Sequence, residues 1–297
     1  MFWGDPALAV KETLPPLWPW WIWPIVLFLL TAALGVLAVM AGIGGGVLFV
    51  PIVSGLLPFL HIDFIRGAGL MVALSGALSA GPTLIRQQLA HLRLAIPIAL
   101  IASFASIFGA LLGLALPANV VELLLGVVIL GMFVLMSFST PSVPAQAGRA
   151  DPIAAFLQIR GEYFDSGRNE MVPWTPRRMA LGLCLFSGVG LMAGMFGLGA
   201  GWANVPVLTM VMGVPLKIAV GTSYFLLAIA DTSAAWVYLN RGALLPLIIT
   251  PSVLGIMLGA RLGARLLARL EARVIRRVVL VVLLLAGLRA LLKGFGI

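Results

Sequence analysis

The sequence predicts an all-α integral membrane protein of two inverted-topology repeats, each a glycine-broken helical hairpin followed by three transmembrane helices. Three observations carry that prediction. First, 62% of the 297 residues are hydrophobic and only 10% are charged, whereas a soluble domain carries about 25% charged residues. Second, the apolar stretches are separated by short polar loops and lack the alternating polarity of a β-barrel strand. Third, one glycine-broken apolar stretch occurs twice. The first copy is Gly42-Ile43-Gly44-Gly45-Gly46, running on to Pro51, and the second is Gly197-Leu198-Gly199-Ala200-Gly201, running on to Pro206. A shift of 155 places carries Gly42, Gly44, Gly46 and Pro51 onto Gly197, Gly199, Gly201 and Pro206.

Clustered glycine disfavours helix and leaves backbone groups bare, so each copy reads as a break between two helical arms. In hydrocarbon such a break survives only where protein or a watery cavity covers it. Matched breaks in two repeats point to a transporter's binding site. Small-residue helix packing would also use glycine, but at spacings of four rather than in a run.

Residues 1–23 form an N-terminal extension with an interfacial cluster of Trp18, Trp20, Trp21 and Trp23. Its lack of a basic start and a small-residue cleavage site argues against a removed signal peptide, and tryptophans suit the headgroup level. Membrane repeat 1 covers 24–138: broken arms at 24–41 and 47–60, then spans at 65–85, 94–116 and 120–138. Each span meets the roughly 20 residues that a bilayer requires. Asp63, Arg66, Arg86, His91 and Arg93 fall at the turns, where both histidines read as interfacial residues.

Residues 139–178 shift to Ser, Pro, Gly and charge and read as a linker outside the membrane. Ile153, Phe156, Leu157 and Ile159 in it suggest one short amphipathic helix, with the rest irregular. Repeat 2 covers 179–297: arms at 179–196 and 202–212, then spans at 217–239, 243–260 and 274–292. Arg261, Arg265, Arg269, Arg273, Arg276 and Arg277 bracket its last connection and, at spacings of four and three, make a basic helical stripe, expected to face anionic lipid.

Charge bias orients the chain. Five arginines in the linker and six in the later turn place both in the cytoplasm. A broken pair crossing as one span would set these clusters on opposite sides, so each pair is expected to be a hairpin. Five segments per half then invert the second half relative to the first. Both termini fall outside, where Arg289 and Lys293 run against the bias. The expected location is the cell inner (plasma) membrane, multi-pass.

Several function classes fall away. The net charge of +9 sits in loops between spans, which suits topology and lipid contact rather than nucleic acid. Cys184 is the single cysteine and His61 and His91 the only histidines, so neither an intrachain disulfide nor a metal centre is expected. Ser75 and Ser187 lie near glycines without an intramembrane histidine to activate them, which argues against an enzyme. The Gly197–Gly201 run fails the dinucleotide pattern, and no ATP-binding motif is present. No cofactor is expected.

The two glycine motifs, with Ala219-Val220-Gly221-Thr222-Ser223 opening the following helix, resemble the sulfite exporter TauE/SafE family of membrane transporters. The resemblance spans about 24–292 and implies export of a small sulfur oxyanion such as sulfite or a related organosulfonate. Two departures accompany it: Gly69-Leu70-Met71 stands where the second half has Gly221-Thr222-Ser223, and Ala200, Trp202 and Asn204 mark the second motif.

The motif chemistry independently suits an anion. A helix starting after Gly46 or Gly201 offers free N–H groups and a positive dipole end, and glycine admits an oxyanion closely. The candidate substrate-binding set is Gly42, Gly44, Gly45, Gly46, Gly197, Gly199, Ala200, Gly201, Asn204, Thr222 and Ser223. Thr222 and Ser223 have interhelical bonding as an equal alternative. Asp231, the acidic residue well inside a span, either couples a proton or is a neutral acid bonded to a neighbouring helix. A passive anion channel of the same fold is the competing function, although no ring of basic residues lines a helix. The expected partners are the small anion and anionic lipids at the basic loops, and a homodimer is compatible with both.

Overall fold

A computed structural model describes residues 21–41, 44–57, 60–138, 151–165, 170–199 and 201–266, with short helical pieces between 280 and 292. The expectations for Trp18 and Trp20, Gly42, Ala200, Arg269, Arg273, Arg276 and Arg277, and most of the span at 274–292 lie outside the described residues. Repeat 1 consists of arms α1 (Ile22–Ala41) and α2 (Gly45–Leu56), then α3 (Ile62–Arg86), α4 (Leu92–Ala115) and α5 (Ala118–Phe138). After the linker come arms α7 (Met179–Phe196) and α8 (Gly201–Pro206), a π-turn over Val207–Val211, then α9 (Leu216–Asn240) and α10 (Pro246–Leu266). Six of these helices, α1, α3, α4, α7, α9 and α10, are long and apolar enough to cross a membrane.

Each second arm carries the motif proline inside it, Pro51 in α2 and Pro206 at the end of α8. A proline removes one helix donor and crowds the preceding turn. Both arms also carry a hydroxyl three residues on that bonds back to a carbonyl at the proline. Ser54 Oγ donates to Pro51 O at 3.0 Å, and Thr209 Oγ1 donates to Val205 O at 2.8 Å and Pro206 O at 3.3 Å. Ser54 and Thr209 are themselves 155 places apart.

The packing between repeats is reciprocal. Helix α1 lies along α10 as α7 lies along α4, and α3 and α9 each pack on the other repeat's fourth segment and on one another. Individual contacts repeat under the swap. A Cβ on Gly35 would stand 2.8 Å from Ile256 O, and one on Gly190 2.3 Å from Ala102 O. The pair Gly263 against Val36 O, at 2.8 Å, answers Gly109 against Leu191 O, at 2.0 Å. These glycines let backbones touch where apolar lipid gives no hydrophobic drive to association.

At one end of the bundle His91 sits beside Thr222 and Trp174, and Arg177 N donates to Met212 O at 2.9 Å. That last bond joins the entry of α7 to the exit of the π-turn, so this broken pair returns the chain to the end where it began. At the other end Gly67 meets Ala243 O.

Four expectations need correction. The second arm of repeat 1 stops at Leu56, not at 60. Helix α10 begins at Pro246 and continues to Leu266 rather than covering 243–260, so Arg261 and Arg265 of the expected helical stripe belong to this helix; Leu, Ala and Arg are strong helix formers, and Gly263 between them lets Val36 O approach. Arg66 is not a turn residue but is 1% exposed inside α3. The linker is more ordered than irregular: a five-residue helix α6 (Pro152–Phe156) precedes an antiparallel hairpin of β1 (Gly161–Asp165) and β2 (Glu170–Trp174), in register Gly161 to Trp174. Pro173 is tolerated because a two-stranded sheet is all edge.

The linker is fastened to the membrane part by named bonds. Asp151 accepts from Ile153 N as the α6 cap and from Met179 N at the start of α7. Ala154, Ile159 and Trp174 are buried against the same core as α4, α7 and α9.

Candidate functional site

The first break is held by Gly44, which caps α2 at φ 78 without a side-chain bond. The second turns at Gly197 and Gly199, φ 69 and 70, a region that side chains rarely adopt. The α7 carbonyls just before the second break are bound from two sides. Arg66 Nη1 donates to Met195 O at 2.8 Å and to Gly113 O at 3.1 Å, and Tyr238 Oη donates to Gly194 O at 3.1 Å. Arg66 also pairs with Asp63 and lies 5.9 Å from the centre of the Tyr238 ring. One cation thus closes the negative ends of α4 and α7, where cations are favoured. It is therefore a scaffold charge, held by helix C-termini and Asp63.

The two breaks meet. A Cβ on Gly44 would stand 3.8 Å from Gly201 Cα, and one on Gly46 would stand 2.6 Å from Leu198 O and 2.8 Å from Gly69 O. Gly69 on α3 in turn abuts Gly197 O. The starts of α2 and α8 therefore converge, with their unpaired N–H ends brought together. Gly45 packs on Val72 and Ile256.

The side chains around this junction are polar and buried. Asn204 on α8 is fully buried with neither amide atom hydrogen-bonded among the described residues. Ser223 and Tyr224 on α9 are buried with hydroxyls that also lack a hydrogen-bond partner there, as is Ser252 on α10, one turn before the Ile256 that packs on Gly45. The Tyr224 oxygen faces the backbone N–H of Gly44 without completing a bond. Unmet polar groups in an apolar interior cost about 1–3 kcal/mol each, so such a cluster asks for a ligand or water. Asp231 is 1% exposed, and its Oδ2 lies 2.8 Å from where a Gly199 Cβ would stand.

Thr222 lies elsewhere. Its Oγ1 accepts from His91 N at 3.1 Å, which ties α9 to the α3–α4 turn at the linker end. The correspondence of Gly69-Leu70-Met71 with Gly221-Thr222-Ser223 also needs correction. A Cβ on Gly67 would stand 2.4 Å from Ala243 O, and one on Gly221 2.3 Å from Leu89 O. Gly67 to Gly221 and Leu89 to Ala243 are both shifts of 154. Ser223 thus matches Gly69, and Tyr224, Leu227 and Asp231 match Leu70, Ala73 and Ala77. Tandem glycines at 67 and 69 made the register ambiguous in sequence; the shared carbonyl contact decides it.

A family profile described as Sulfite exporter TauE/SafE matches residues 27–290, nearly the whole chain. The chain belongs to the TauE/SafE family. No curated protein matches it, and no solved structure does. The TauE/SafE family is one of membrane transporters of sulfite and related sulfur anions, and six membrane-length helices make this member a multi-pass membrane protein. Both glycine breaks of this TauE/SafE protein lie within the matched span. Among its described residues no three of His, Cys, Asp and Glu come together as metal ligands.

Of the residues singled out in sequence, Gly44, Gly45, Gly46, Gly197, Gly199, Gly201 and Asn204 gather at the junction, with Ser223 on the adjoining stretch of α9. Gly42 and Ala200 lie outside the described residues. Sequence reasoning missed Tyr224, Leu227 and Ser252. Tyr224 had a signal, being a phenol within an apolar span next to Ser223, whereas Leu227 had none.

Proposed function

We propose that this protein exports sulfite or a related organosulfonate by alternating access, with the anion held between the starts of α2 and α8. The observation that carries this reading is the approach of Gly44 to Gly201, which aims two helix N-termini at one buried, polar-lined place. Each N-terminus acts as roughly half a positive charge and contributes up to about 2 kcal/mol toward an anion when partly buried. Asn204, Ser223, Tyr224 and Ser252 supply the neutral donors. The site is thus electropositive without a cationic side chain, and a weakly held anion can leave it.

The reciprocal packing of the repeats supports an inverted pair that rocks about this junction. The linker and the Arg261–Arg265 end of α10 are cytoplasmic in this reading, with anionic lipid at those arginines and the inner membrane as the location. The negative-inside potential then assists export, at about 2.3 kcal/mol per charge for each 100 mV.

The test is efflux of labelled sulfite from reconstituted vesicles. Saturable efflux with counterflow is the expected result, and flux strictly linear in gradient would indicate a channel instead. Gly44→Leu and Gly199→Leu should each lower flux and sulfite binding at least about tenfold in membrane-inserted protein, because a side chain there is strained and fills the junction. Normal binding by both variants would place the site elsewhere.

A further inference from the structure

We propose that Leu227 sets how large an anion can pass between the two breaks, an inference that rests on the function proposed above. Leu227 Cδ1 lies 3.2 Å from where a Gly44 Cβ would stand, and its Cδ2 lies 3.3 Å from where a Gly199 Cβ would stand. One fully buried isobutyl group therefore spans the junction from break to break. Its counterpart in the other repeat is Ala73, whose single methyl lies 2.9 Å from the Gly199 Cβ position and is not among the nearest atoms at Gly44. The repeats share a backbone plan but differ here in bulk, so one half is plugged and the other is not.

The neighbours of Leu227 make the plug informative. Ser223 and Tyr224 lie one turn before it on α9 and Asp231 one turn after, all buried. An apolar side chain between polar groups is the arrangement of a hydrophobic constriction, which an ion passes only when the side chain moves aside. Leucine can do so by changing rotamer within an unchanged helix. A compact oxyanion needs a small displacement, whereas an anion with a bulky organic group needs the whole space that Leu227 fills.

Two experiments on the full chain test this. In a Cys184→Ser background, Leu227→Cys is exposed to 2-sulfonatoethyl methanethiosulfonate and followed by intact mass. The cysteine thiolate attacks the sulfenyl sulfur, methanesulfinate leaves, and a mixed disulfide remains. Leu227→Cys should label, and excess ethanesulfonate should slow it at least about threefold, while Leu226→Cys, buried on the adjacent face, labels about tenfold more slowly. Equal labelling of both positions, labelling of neither, or no slowing by ethanesulfonate overturns the proposal.

The second experiment compares benzenesulfonate with sulfite flux. Leu227→Ala, which restores the bulk of Ala73, should raise the ratio about tenfold, and Leu227→Phe should lower it. Leu227→Val should move the ratio in the same direction as Ala if the Ala variant does not fold. An unchanged ratio in folded variants overturns the proposal. Selective, ethanesulfonate-sensitive labelling in a protein that moves neither anion would leave Leu227 as the constriction and sink the transport reading instead.

Discussion

At the scale of single residues, Asp231 is the side chain whose protonation matters most. Its Oδ2 lies beside Gly199, 2.8 Å from the Cβ position there, so an ionised carboxylate would face the bound anion. Two unit charges 4 Å apart repel by about 4 kcal/mol at an effective dielectric near 20. That is about what the two helix N-termini of the proposed site offer together, so anion binding in the proposed cycle would favour the neutral acid and take up a proton with the anion. Asp231→Asn should keep sulfite binding within about twofold yet lose the dependence of transport on an imposed pH gradient. Unchanged gradient dependence in that variant would make Asp231 structural. Arg66 teaches the opposite lesson: this buried charge closes helix C-termini just before the second break, with its guanidinium on Met195 O and Gly113 O and its backbone against Gly197.

At the scale of elements, the linker is a small folded unit latched to α4 and α9 through His91. The imidazole stacks edge-on against Trp174, Nε2 meets Arg160 O at 3.2 Å, and Nδ1 accepts from Leu94 N at 3.3 Å. Burial, with a smaller push from Arg93, holds its pKa below the ordinary 6.5 despite the Arg160 carbonyl. The docked state therefore prefers neutral imidazole. Its full stability is present above pH 6.5 and is lost as the pH falls toward the depressed value. Amide exchange in β1 and β2, corrected for intrinsic rates, should rise about three- to tenfold between pH 7.5 and pH 5. His91→Gln should flatten that profile, and a flat profile in the unmodified protein would remove His91 from the latch.

At the scale of the molecule, the bond from Arg177 N to Met212 O makes the second broken pair a hairpin. Helix α10 then runs from the end holding Ala243 toward the end holding the linker, which brings Arg261 and Arg265 to the linker's side. Cysteines placed in the 139–150 segment and at Arg265 should be labelled from the same face of the membrane by an impermeant reagent. Labelling from opposite faces would sink the cytoplasmic assignment of both basic segments.

The sequence by itself determined that the chain spans a membrane, roughly where its helices lie, and that two glycine breaks recur at a shift of 155. These are properties of hydropathy, length and local backbone preference, which act within one segment. Helix bounds were legible wherever a polar turn or glycine stopped an apolar run, as at Ala41, Phe196 and Arg86. They failed after Ala260, where helix-forming Leu, Ala and Arg carry α10 on to Leu266, and in the linker, where β1 and β2 are held by each other and by packing on His91. Tertiary structure alone decided that Gly44 meets Gly201, that Arg66 is buried at helix ends, that Thr222 serves the α3–α4 turn, and that Leu227 fills the junction. Each of these depends on residues tens to hundreds of positions apart being pressed together, and no local preference encodes which partner a side chain will meet.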